Sequence, residues 1–90
     1  LVGSEMCIRD SSYILELKVL SKKDFSAIVE GEFTEDGKPM TKAEKQWREA
    51  VEQILRYAEA PRVEALRQGT KLHLIIMQFE GWELKRMEEV

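Results

Sequence analysis

Apolar residues gather in three stretches of this 90-residue chain, and each stretch predicts a different element. Tyr13-Ile14-Leu15-Glu16-Leu17-Lys18-Val19 is an apolar run with one carboxylate and one ammonium set into it, and it predicts a strand over 12–20. Side chains two apart on a strand share a face, so Glu16 and Lys18 point the same way, about 7 Å apart at their Cα atoms. Leu15, Leu17 and Val19 are expected to point the other way, into a core. Ala43, Trp47, Ala50, Val51, Ile54, Leu55 and Ala58 recur at helical spacing and predict a helix over 42–59. Thr41 is its expected N-cap, and Glu44 three residues on completes a capping box. Leu72, Leu74, Ile75, Ile76 and Met77 predict a buried central strand from Lys71 to Phe79.

The connections are less regular. Phe25, Ile28 and Val29 follow helical spacing and suggest a short helix over 22–30, and Glu35-Asp36-Gly37-Lys38-Pro39 reads as a turn. Pro61 stops the long helix and opens a second one over 61–68, closed by Gly69. Glu80-Gly81 is a tight-turn signal, after which residues 82–88 pair back as a last strand with Trp82 and Leu84 on one face. A helix joining two strands favours a parallel pair. The expectation is an α/β chain: a mixed sheet of about three strands with a helix pair packed on it.

Composition narrows the function classes. Ninety residues make one small domain with a marginal core. A net charge of −3 argues against a nucleic-acid module that works by bulk electrostatics, though not against a locally cationic or metal-bound site. Cys7 stands alone, so there is no internal disulfide and a reducing compartment is expected. No apolar run approaches a membrane span and no secretory segment is evident, which points to the cytoplasm and away from membranes. Residues 1–10, Leu1 to Asp10, lack any period and resemble a translated sequencing adapter. We set them aside as an artefactual or disordered terminus, with a genuine strand-forming terminus as the alternative. Residues 11–90 are then a partial domain, a fragment whose upstream part is missing.

The candidate chemistry lies in the first strand. A buried strand excludes Glu and Lys unless they pair or bind a metal. Glu-Leu-Lys occurs twice, and the second copy, Glu83-Leu84-Lys85, lies in a charge-rich segment and reads as an exposed edge. The bland reading of either copy is a solvated ion pair. His73 has no neighbouring His or Cys with which to hold a metal and reads as structural. The serines lack a nucleophile-elbow context, the five glycines form no phosphate loop, and Trp47 reads as core. Lys22-Lys23 reads as solvated surface.

With Tyr13-Ile14-Leu15-Glu16-Leu17-Lys18, then Ala50-Val51-Glu52-Gln53-Ile54-Leu55-Arg56-Tyr57-Ala58, then Leu72 through Leu84 with Gly81-Trp82-Glu83-Leu84, the chain resembles the PD-(D/E)XK nuclease superfamily. More narrowly, it resembles the nuclease-like domain at the C-terminus of prokaryotic AAA-ATPase-like proteins. The resemblance implies a partial restriction-endonuclease-like fold over residues 12–90 and phosphodiester hydrolysis in the intact parent. It implies Glu16 as a metal ligand, Lys18 as stabiliser of the scissile phosphate or attacking water, Gln53 reaching from the helix, and Tyr57 one turn later. It implies Mg²⁺ as the metal, nucleic acid as substrate and an ATPase domain of the same parent as partner. The family's upstream Asp has no counterpart here, because Asp10 lies inside the adapter-like stretch and the role is not carried onto it. The chain as given is therefore expected to be inactive. The alternative is a non-catalytic interaction or regulatory module attached to an AAA-type ATPase.

Overall fold

The computed structural model describes residues 4–8, 10–61, 63 and 69–90. The apolar run at the start of the chain forms a ten-residue strand, β2 (Ser11–Leu20), preceded by β1 (Ser4–Ile8). The run at the end forms β5 (Lys71–Glu80), followed by β6 (Glu83–Glu89). Between them lie a single helical turn, α1 (Lys22–Phe25), a small hairpin of β3 (Ile28–Phe33) and β4 (Pro39–Thr41), and the long helix α2 (Lys42–Ala58).

β2 and β5 are the parallel centre of a four-stranded mixed sheet in the order β1-β2-β5-β6, with both edge strands antiparallel to their neighbours. The register sets Glu16 beside Ile76 and Lys18 beside Gln78. Helix α2 begins as its sequence predicts. The Glu44 amide donates to the Thr41 hydroxyl at 3.2 Å, and that hydroxyl donates to the Glu44 carboxylate at 3.2 Å. The apolar stripe of α2 then packs on the sheet: Trp47, Ala50 and Ile54 close over Ile14, Leu74 and Ile76, with Val63 beside them. Leu55, expected in that stripe, is exposed instead. The Arg86 guanidinium lies 3.9 Å from the centre of the Trp47 ring, capping the core with a cation–π contact.

Four expectations need correction. Ser4–Ile8, set aside from the fold, pairs antiparallel with β2 as an edge strand of the sheet. The helix expected over 22–30 stops at Phe25: Ser21 caps one turn, and the β-branched pair Ile28-Val29 enters a strand that bends at Gly31, whose φ is 79°. Trp82 is not a strand residue sharing a face with Leu84; it sits in the β5–β6 turn, fully exposed, behind Gly81 with φ 58°. The fourth concerns the first strand. Leu17 and Val19 are exposed, while Ile14 and Glu16 lie under α2. Which sheet face a crossover helix covers is decided by how the chain passes from β2 to β5, not by the alternation within β2. The second helix, expected over 61–68, falls mostly outside the described residues.

Candidate active site

The site is assembled where β2 runs out from under the core. Ser12, Ile14, Glu16 and Lys18 lie in sequence on the face that α2 covers. The first part of this row is tightly sealed, and Glu16 is still only 4% exposed. The Lys18 Nζ lies 3.7 Å from the Glu16 Oε1, which is an ion-pair distance, longer than a good charge-assisted hydrogen bond. The other carboxylate oxygen, Oε2, is buried with no hydrogen-bond partner. An unpaired buried acceptor of this kind costs about 1–3 kcal/mol, so Glu16 is held at some expense to the fold.

Gln53 enters from α2. It flanks the buried stripe between Ala50 and Ile54, and its side-chain oxygen accepts a 3.0 Å hydrogen bond from the Lys18 ammonium. The structure thus brings Glu16, Lys18 and Gln53 together. Tyr57, one turn beyond Gln53, packs half-buried against the core cluster. Asp10 is exposed in the β1–β2 turn, six residues and roughly 20 Å of extended strand from Glu16. It is no partner for Glu16. Among the described residues the β1 pairing reaches Ser4 opposite Leu15, one residue short of Glu16.

These residues contribute one oxygen ligand of the hard type that suits a divalent cation. Among the described residues no cluster of three or more His, Cys, Asp or Glu could hold a metal. The orphaned Glu16 Oε2 fits a metal ligand, but the donor set is incomplete within these residues.

Two further polar residues belong to this neighbourhood and were missed by the sequence reading. Gln78, beside Lys18 on β5, is 3% exposed. Its amide nitrogen donates to the Ala43 carbonyl at 2.7 Å and to the Gln46 side-chain oxygen at 3.0 Å. The signal was present: a polar residue inside an apolar strand is the same anomaly that singled out Glu16. The expectations for His73 and for the second Glu-Leu-Lys agree with what is seen. His73 stacks on Tyr13 with ring centres 4.8 Å apart and meets the Glu89 carboxylate through Nδ1 at 3.0 Å. Glu83 and Lys85 lie on the exposed edge strand β6, paired with each other at 3.3 Å.

No helix of the described residues is long and apolar enough to cross a membrane. No curated protein and no solved structure matches the chain. A family model described as the PD-(D/E)XK nuclease superfamily matches residues 4–89, nearly the whole chain, including β1 and the strand that carries Glu16 and Lys18. Nucleases of this superfamily generally use divalent metals. The parallel β2–β5 pair, the helix laid across it and the match over residues 4–89 agree: the chain belongs to the PD-(D/E)XK nuclease superfamily.

Proposed function

We propose that the chain carries one half of a metal-dependent phosphodiesterase site, with nucleic acid as substrate in the intact parent, and that it is inactive as given. The observation that supports this most directly is the buried, unpartnered Glu16 oxygen beside the Lys18–Gln53 pair. In this reading Glu16 is the first ligand of Mg²⁺, which when bound supplies an activated water and neutralises phosphate charge. Lys18 stabilises charge that develops on the phosphate or orients the attacking water. Gln53 holds the Lys18 ammonium in place, and Tyr57 braces the helix that carries Gln53. A second carboxylate must come from outside the described residues. An ATPase domain of the same parent and a cytoplasmic setting complete the proposal.

The test is a Mn²⁺ titration followed by NMR, run alongside a cleavage assay on duplex DNA and single-stranded RNA in Mg²⁺. Signals of Glu16 and Lys18 should broaden selectively at millimolar Mn²⁺, the broadening should vanish in Glu16→Gln, and no substrate should be cut. Absence of selective broadening would remove the metal-site reading. Cleavage that Glu16→Ala abolishes would instead show a complete site and overturn the proposed inactivity.

One observation favours the alternative, a non-catalytic interaction module. The sheet face away from α2 carries an open, apolar depression of about 600 Å³ lined by Leu17, Val19, Phe79, Gly81 and Trp82. Patches of this kind mark contact surfaces, and a retained fold with an incomplete metal site would serve such a role.

A further inference from the structure

Gln78 is the feature of the core that the site described above leaves unexplained. It sits at a position 3% exposed, directly after the apolar run Leu74-Ile75-Ile76-Met77 of β5. A buried amide is tolerated only when its hydrogen bonds are made, and both hydrogens of the Gln78 amide nitrogen are used. One reaches the Ala43 carbonyl in the first turn of α2, the other the side-chain oxygen of Gln46. Gln46 in turn donates its own amide to the Val19 carbonyl at 3.4 Å. The two carboxamides therefore form a continuous bridge from β5 through α2 to β2, and it lands on the residue next to Lys18.

Trp47 and Ile54 seat α2 on the sheet, but the rest of its buried stripe holds the helix less sharply. Ala43 and Ala50 are small, and apolar packing is non-directional. A slip of one residue along α2 would turn it by about 100° and move it about 1.5 Å. A slip that large would also take the apolar stripe off the sheet, so the motion left to be fixed is a smaller turn or slide within its seat, which is still enough to carry Gln53 off Lys18. Gln46 and Gln53 are seven residues apart, close to two helical turns, so they lie on the same side of α2. Pinning Gln46 fixes where Gln53 arrives.

We propose that Gln78 and Gln46 are positioning residues that lock α2 to the end of β2, so that Gln53 meets the Lys18 ammonium. Any value of the lock to catalysis rests on the nuclease reading, but the lock itself is a statement about Lys18 and is measured without cleavage.

The experiment follows the Nζ protons of Lys18 by ¹⁵N NMR in the full chain, with exposed Lys38 as internal reference. In the native chain the Lys18 protons should exchange with water more slowly than those of Lys38. Gln46→Ala removes a half-buried side chain outside the apolar core and cuts the bridge at its middle. It should speed Lys18 exchange by about tenfold, the scale of one lost hydrogen bond, with the α2 amides still protected. Gln78→Met should do the same. If Gln78→Met fails to fold, Gln46→Ala decides alone. The double variant Gln46→Met/Gln78→Met removes both partners and so leaves no buried amide unpaired. It should recover stability without recovering slow Lys18 exchange. Unchanged Lys18 exchange in Gln46→Ala would overturn the proposal, as would recovery of slow exchange in the double variant, since the amides would then be only mutual hydrogen-bond partners.

Discussion

Replacing Glu16 by Met should make the protein more stable, which is the reverse of what removing a structural ion pair would do. The variant keeps a flexible, unbranched side chain of similar length and deletes the one buried acceptor found without a partner among the described residues. Relief of that orphan returns about 1–3 kcal/mol. Against this stands the loss of the Glu16–Lys18 contact. That contact is 3.7 Å long, the Lys18 side chain is 15% exposed, and Lys18 keeps its 3.0 Å bond to Gln53. The contact is long and the ammonium keeps its Gln53 bond, but the pair is mostly buried, so its loss is set at the upper end of the range for exposed pairs, about 1 kcal/mol. The balance is a gain on the order of 1 kcal/mol, or about 4–8 °C in Tm for a domain of this size. The assay is thermal unfolding followed by far-UV circular dichroism at pH 7 and low salt. The complementary variant, Lys18→Met, strands a buried carboxylate without its cation and should cost about 3 kcal/mol. A fall in Tm of several degrees on Glu16→Met would refute the reasoning. Glu16 would then be an ordinary structural partner of Lys18, and the Glu-x-Lys strand would lose its main physical claim to be a site.

Two smaller predictions test local chemistry. Thr41→Ala removes the hydroxyl that accepts from the Glu44 amide and should lower stability by about 1 kcal/mol in thermal or urea unfolding, whereas Thr41→Ser should be nearly neutral. In the β3–β4 turn, the hydrogen bond from the Thr34 hydroxyl holds the Asp36 carboxyl below its ordinary pKa. A lowered carboxylate pKa contributes stability above the unfolded value of about 3.9 and loses it as pH falls through the folded value. An NMR titration should therefore find Asp36 titrating at lower pH in the native chain than in Thr34→Ala.

The elements that were legible in the sequence are those with a strong period and a clear boundary. β2, α2 and β5 each carry a run of apolar residues long enough to fix its type, and Thr41 with Glu44 marks the start of α2 as the sequence predicts. The β3–β4 hairpin was not legible because Ile28 and Val29 satisfy a helical spacing and a strand preference equally well over so short a stretch. β1 was not legible because Ser4–Ile8 has no alternation of its own and is defined by pairing with β2. The resemblance to a nuclease family brought Glu16, Lys18 and Gln53 into view as a set, and the structure brings these three side chains together. Gln78 carried a signal as a polar residue in an apolar strand, but its bond to Gln46 stayed hidden because it depends on a helix-to-sheet register that no single stretch encodes.

The misassigned face of β2 carries the more general point. A half-buried strand normally turns its apolar residues inward, and here the far end of the sheet does the opposite. The three buried polar side chains found among the described residues, Ser12, Glu16 and Gln78, all lie on the face under α2. Leu17, Val19 and Phe79 line the open face. Along β2 the covered face therefore passes from apolar at Ile14 to charged at Lys18, and along β5 from Leu74 and Ile76 to Gln78. The two strands change character within one step of the covered face, β2 at Glu16 beside Ile76 and β5 at Gln78 beside Lys18. Core packing alone gives no reason for such a coordinated switch, since an aliphatic residue at either position would bury more apolar surface at lower cost. A local violation of the inside–outside rule that is shared by two strands and joined by amides from the covering helix is the pattern that the proposed site would leave in the core. The opposite face has the complementary anomaly, apolar side chains of Leu17, Val19 and Phe79 lining an open depression, and the two together fit the proposal of chemistry on one side of the β2–β5 pair and contact on the other.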